Sequence, residues 1–97
     1  MKRKIIGEFF FEGKQLFIVA YAFPNGETVI RVEDEDGRPV NGYSYSSSLS
    51  VRLGLDKKGY NVTEELAKGA QADVENKMYD KYLEALQHLE SLKKKNT

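Results

Sequence analysis

Residues whose types and spacing could do chemistry fall in three places: the acidic run Glu33 to Asp36 ahead of Gly37, the single histidine His88, and the Tyr/Ser-rich stretch Tyr43 to Ser50. Carboxylates at alternating positions, as in Asp34-x-Asp36-Gly37, are how a calcium loop begins. Such a loop also needs a glycine at its sixth position and a glutamate at its twelfth. Counted from Asp34, those positions hold Pro39 and Tyr45, so the run reads as a solvated turn. His88 stands between Leu86 and Leu89 in a helical stretch, with no second histidine and no cysteine to share a metal. General acid–base work would require a pocket and a positioned partner that nothing in the chain marks out. The serines lack the Gly-x-Ser-x-Gly elbow of a nucleophile. Tyr43 and Tyr45 among serines are instead the composition of a contact surface, because tyrosine offers broad area at low entropic cost. No catalytic, cofactor-binding or metal-binding residue is therefore expected, and no cofactor.

A second kind of chemistry would be nucleic-acid binding. Lys2, Arg3, Lys4, Lys14, Arg31 and Arg52, with Phe9 or Phe11 as stacking platforms, could line the outer face of a sheet. The balance of charge counts against it. Lys plus Arg and Asp plus Glu are 15 each, so the net charge is zero, whereas nucleic-acid binders normally carry a basic excess. No glycine-rich loop leads from a strand into a helix, so no phosphate cradle is predicted. Asn61-Val62-Thr63 matches a glycosylation acceptor but reads better as helix capping.

A chain of 97 residues supports one core and no second domain. Without cysteine there are no disulfides and no thiolate chemistry, which favours an intracellular setting for a domain this small. The basic start Met1 to Lys4 is followed by Glu8, Glu12, Lys14 and Gln15 rather than by a signal-peptide core. The longest apolar run, Leu16 to Phe23, is far short of the roughly 20 residues of a bilayer span. A cytoplasmic, unprocessed protein with no membrane association is expected.

The elements that must position these residues are read from hydrophobic periodicity. Strands are expected at about 4–11, 15–23 and 28–34, joined at Glu12-Gly13 and Asn25-Gly26. A two-residue Asn25-Gly26 loop places Phe17, Val19, Tyr21, Phe23, Ile30 and Val32 on the inner face, with Arg31 and Glu33 outside. The first hairpin stays open at this stage. A two-residue loop sends Ile6 and Phe10 inward with Phe17, and a three-residue loop sends Ile5 and Phe9. Pro39 confines any strand at 38–45 to an edge, and 46–62 reads as irregular, with room for a helical turn or short strand near Leu49 to Leu53. From 63 to 94 the pattern is helical, capped by Asn61 or Thr63, with Gly69 as the expected break. Ala67, Ala70, Val74, Met78, Tyr82, Ala85, Leu86 and Leu89 form the core-facing stripe, and Tyr79, Leu83 and Leu92 widen it.

Together these imply an α+β fold: a three- or four-stranded antiparallel sheet made of two consecutive hairpins, with a long C-terminal helix packed on one face. The functional expectation is a small non-enzymatic protein-interaction module, an inhibitor, adaptor or accessory subunit of the kind compact phage or plasmid genomes encode. Its contact residues would be drawn from Phe9, Phe11, Arg31, Tyr43, Tyr45 and Tyr79. A homodimer through helix 70–92 would use the surplus apolar surface. A nucleic-acid binder using the outer sheet face and a small-ligand domain are the alternatives.

Overall fold

The computed structural model describes residues 1–95; Asn96 and Thr97, where the C-terminal helix is expected to fray, lie outside them. Strands β1 (Lys2–Phe11), β2 (Lys14–Ala22), β3 (Thr28–Glu33) and β4 (Tyr45–Ser47) form one antiparallel sheet in that order. Helices α1 (Leu49–Asp56), α2 (Val62–Glu75) and α3 (Met78–Lys95) follow. The class is α+β, as expected.

The two hairpins decide which side chains face inward. Glu12 and Gly13 both adopt positive φ, 51° and 77°, and Phe11 pairs with Lys14, which is a two-residue primed turn. Between β2 and β3 the loop is one residue longer than an Asn25-Gly26 turn allows. The Gly26 N–H donates to the Phe23 carbonyl at 3.0 Å and the Phe23 N–H to the Glu27 carbonyl at 2.9 Å. Gly26, at φ 86°, is the bulge that closes a three-residue loop. Ala22 therefore pairs with Thr28 and Ile18 with Val32.

That one residue exchanges the faces of β2. Leu16, Ile18 and Ala20 line the core with Ile30 and Val32, and Phe17, Val19 and Tyr21 point the other way. Phe23 is left at the end of the hairpin, 37% exposed. In β3 the expected inner residues hold. In β1 Phe10 does share a face with Phe17, but that face is the outer one. Phe9 pairs with Leu16 and is buried, and a bulge between Ile5 and Gly7 brings Ile6 against the core.

The edge strand lies further along than 38–45. Pro39 makes one isolated bridge to Glu33, and the ladder resumes where Tyr45 pairs with Ile30 and Ser47 with Thr28. Helix α1 occupies part of the stretch read as irregular, its first turn capped by the Ser48 hydroxyl accepting from the Val51 N–H at 3.3 Å. Eight residues containing Gly54 and no buried side chain leave too weak a periodicity to read. Of the acidic run, Asp34 to Asp36 form the expected turn, in which Asp34 Oδ1 accepts from the backbone N–H groups of Asp36 and Arg38 at 2.9 and 3.0 Å, whereas Glu33 ends β3 and is buried rather than solvated.

Helix α2 covers the sheet, burying Val62, Ala70 and Val74. Asn61 caps it, its side chain accepting from the Glu64 N–H at 3.0 Å. Gly69 does not break it. A glycine inside a helix costs about 1 kcal/mol, and the packing of Leu66, Ala67, Ala70 and Val74 on the core offsets that. The break comes at Asn76-Lys77, just past Val74, with Lys77 at φ 53°.

Beyond Lys77 the chain leaves the sheet. The radius of gyration is 16.3 Å and the longest extent 51 Å, against about 12–13 Å for a compact chain of this length. Helix α3, 18 residues or about 27 Å, accounts for the excess. The stripe expected to complete the core is therefore exposed from Met78 onward, including Tyr82, Leu86 and Leu89. Among the described residues no helix is long and apolar enough to cross a membrane.

Candidate functional site

The outer sheet face, which carries no helix, is built around a buried carboxylate. Alternation along β3 puts Arg31 and Glu33 on one side, and the register sets Val19 beside Arg31 and Tyr21 beside Arg3. The Glu33 side chain is fully buried. Arg3 Nη2 donates to Oε1 at 2.8 Å, and Arg31 Nε donates to Oε2 at 2.5 Å. The Tyr21 hydroxyl also donates to Oε2 and accepts from Arg31 Nη2 at 3.1 Å. The Arg31 guanidinium lies 5.0 Å from the centre of the Tyr21 ring. Burial pushes the Glu33 carboxyl up, but hydrogen bonds from Tyr21, Arg3 and Arg31 outweigh it and hold the group below its ordinary value. Both arginines are raised, chiefly by their bonds to Glu33. The donors nearest the middle of this face are thus engaged internally. Val19 is fully buried beneath them, while Phe10 and Ile5 remain exposed on β1.

The tyrosines singled out in the sequence do come together. The ring of Tyr43 meets Tyr79 edge-on at 5.1 Å between centroids, and lies 6.4 Å from both Tyr45 and Tyr82. Gly42 lies directly against the Tyr79 ring, where any Cβ would collide with it. The Tyr45 hydroxyl donates to Asp73 of α2, and burial, aided by that bond, pushes Tyr45 well above the usual tyrosine range. These residues tie the loop after β3 to α2 and the base of α3.

Beside them is an open cleft of about 430 Å³ lined by Phe11, Lys14, Asp34, Asp73, Lys77 and Tyr79 among others. Most of its charged groups already have partners. Asp73 serves Tyr45, Asp34 its own turn, and Lys77 pairs with Glu12 at 2.6 Å. Among the described residues no three His, Asp, Glu or Cys side chains gather in a way that could hold a metal.

An extended unpartnered apolar surface lies on α3. Met78, Tyr82, Leu83, Leu86, Leu89 and Leu92 are each 39–53% exposed; Met78, Tyr82, Leu86 and Leu89 share one side of the helix at three- and four-residue spacing, and Leu83 and Leu92 lie on its two flanks. Of the expected contact residues, Phe9 is in the core and Phe11 half-buried against it. Arg31 is engaged with Glu33, and Tyr43, Tyr45 and Tyr79 are packed on one another. The Glu33 cluster escaped the sequence reading, although Arg31-x-Glu33 in a strand is the spacing that places both on one face. No family model, curated protein sequence or solved structure matches the chain.

Proposed function

We propose that this is a non-enzymatic protein-interaction module, an inhibitor, adaptor or accessory subunit, whose recognition element is the exposed stripe of α3. The observation carrying this reading is that five turns of amphipathic helix stand clear of the sheet with their leucines half in solvent. Monomeric proteins seldom leave a contiguous apolar patch of this kind uncovered, and an amphipathic helix meeting an apolar surface is a recurrent mode of recognition. The outer sheet face is the weaker candidate, because its centre is closed by Arg3, Arg31 and Tyr21 over Glu33.

The test is affinity capture from a lysate of the source cells, comparing the wild type with Leu86→Glu/Leu89→Glu and with an α1 control, Leu53→Glu. Proteins retained by the wild type and the control and lost with the double variant are the expected result. Identical captures by all three would overturn the reading.

A further inference from the structure

We infer that the open edge of β1 is where two copies of this chain meet, their β1 strands pairing antiparallel about a two-fold axis. This surface is separate from the α3 stripe.

Strand β1, ten residues long, is one edge of the sheet and pairs with β2 alone. The first turn fixes which of its backbone groups are free. Phe11 and Lys14 flank a two-residue loop and form a hydrogen-bonded pair, so Phe11, Phe9 and Gly7 turn their backbone toward β2. Beyond the bulge between Ile5 and Gly7, the pairs that continue this ladder are Lys4 with Ala20 and Lys2 with Ala22. The N–H and C=O groups of Arg3, Ile5, Glu8 and Phe10 therefore point away from the sheet. A row of this kind is a template for another strand.

Charge selects the strand that fits. Lys2, Arg3 and Lys4 occupy one end of β1, and Glu8 with the adjoining Glu12 the other. Among the described residues Lys2, Lys4 and Glu8 are exposed and make no ion pair. Edge lysines and a bulge ordinarily keep strands off, so a partner strand must bring acids to the basic end and basic groups to the acidic end. The same strand reversed does so, whereas a parallel copy stacks like on like.

The register agrees. Arg3, Ile5, Glu8 and Phe10 are spaced symmetrically about the midpoint of Ile6 and Gly7. Reversal sets Ile5 opposite the partner's Glu8 and Arg3 opposite the partner's Phe10, each pair exchanging both N–H···O bonds. The two bulges fall against one another. On the outer face Arg3 then has the partner's Phe10 ring opposite and the partner's Glu8 on the diagonal, and Ile5 has the partner's Phe10 on its own diagonal. Ile5 and Phe10, 48% and 73% exposed in the single chain, are the apolar groups this covers. The other edge, β4, has three residues, so the pairing closes at two copies. One strand pair falls below about 1,200 Å² of interface, the range of transient association.

Sedimentation equilibrium of the full chain should rise with concentration from the 11.1 kDa monomer to twice that mass. Glu8→Lys should stay monomeric with unchanged circular dichroism, because it sets a second cation beside the partner's Arg3. Leu86→Glu/Leu89→Glu should dimerise like the wild type. The chain has no cysteine, so introduced thiols report the register. An equimolar mixture of Ile5→Cys and Glu8→Cys chains should form a mixed disulfide on oxidation, hydrogen-bonded partners being about 5.5 Å apart between Cα atoms. Neither variant should join to itself, its copies being displaced by about 7 Å along the strands as well as about 4.8 Å across them. A wild type monomeric at hundreds of micromolar, or Glu8→Lys at the wild-type mass, would overturn the pairing. A monomeric Leu86→Glu/Leu89→Glu would overturn it by moving association to α3, and self-joining of Ile5→Cys would overturn the antiparallel register.

Discussion

Replacing Glu33 by glutamine removes one charge from the outer sheet face and leaves the shape almost unaltered. The carboxylate accepts from Arg3, Arg31 and Tyr21. A hydrogen bond to a charged group contributes roughly 1.5–3 kcal/mol, but these bonds do not simply add. The glutamine carbonyl can keep the Oε2 position, with Tyr21 and Arg31. Its amide then faces Arg3, which is 45% exposed and can turn to water. Discounting for that screening, Glu33→Gln is expected to lose about 2 kcal/mol at neutral pH, a fall of roughly 10 °C in Tm for a domain of this size. The pH dependence supplies the sharper test. Because the folded-state pKa of Glu33 is depressed from 4.5, its stabilisation is complete above about pH 4.5 and is lost as pH falls through the lower folded value. Urea unfolding of both proteins at pH 7, 5 and 3 should therefore show a gap that is constant at the first two and shrinks at the third. A gap within about 0.5 kcal/mol of zero at pH 7, or one that does not narrow in acid, would refute the assignment of a stabilising buried carboxylate.

Two other substitutions test how the base of α3 is held. Lys77→Gly relieves a left-handed residue between α2 and α3 and gives up only an exposed ion pair with Glu12; urea unfolding should show a gain of up to about 1 kcal/mol. Gly42→Ala drives a methyl group into the Tyr79 ring, and is expected to cost about 1–3 kcal/mol with a change in the near-ultraviolet dichroism of the tyrosines.

How legible the molecule was depends on where each decision is made. Strand positions and the fold class follow from alternation and turn residues that any short window contains. The faces of β2 do not, because they hinge on whether Pro24 belongs to the turn. A Pro-Asn-Gly segment satisfies both a two-residue and a three-residue loop, and the pleat converts that one-residue difference into a complete exchange of inside and outside. Arg31 and Glu33 lie outside the helix-covered core, as their charge predicts. That a carboxylate could be buried without lying in that core requires three donors from three strands, and only the assembled register supplies them. The helix break is hidden in the sequence for a related reason. Gly69 is the residue with the poorest intrinsic propensity, yet it lies where packing holds the helix together, while Asn76-Lys77 lies where packing ends. The tyrosines were found by composition alone, and their association with one another needed the fold.

The same geometry explains why α3 is free. Four strands at about 4.8 Å spacing make a sheet roughly 20 Å wide, and the 14 residues of α2 span about 21 Å, so one helix suffices for the inner face. The middle of the outer face is closed: Val19, paired across the strands with Ile5 and Arg31, is fully buried, and the head of Arg31 binds Glu33, while Phe10 and Ile5 stay exposed toward β1. Helix α3 covers neither face. A helix that completes no core, yet repeats leucine at positions 83, 86, 89 and 92, carries a pattern the fold of one chain does not use. This is the physical reason to look for its use between chains.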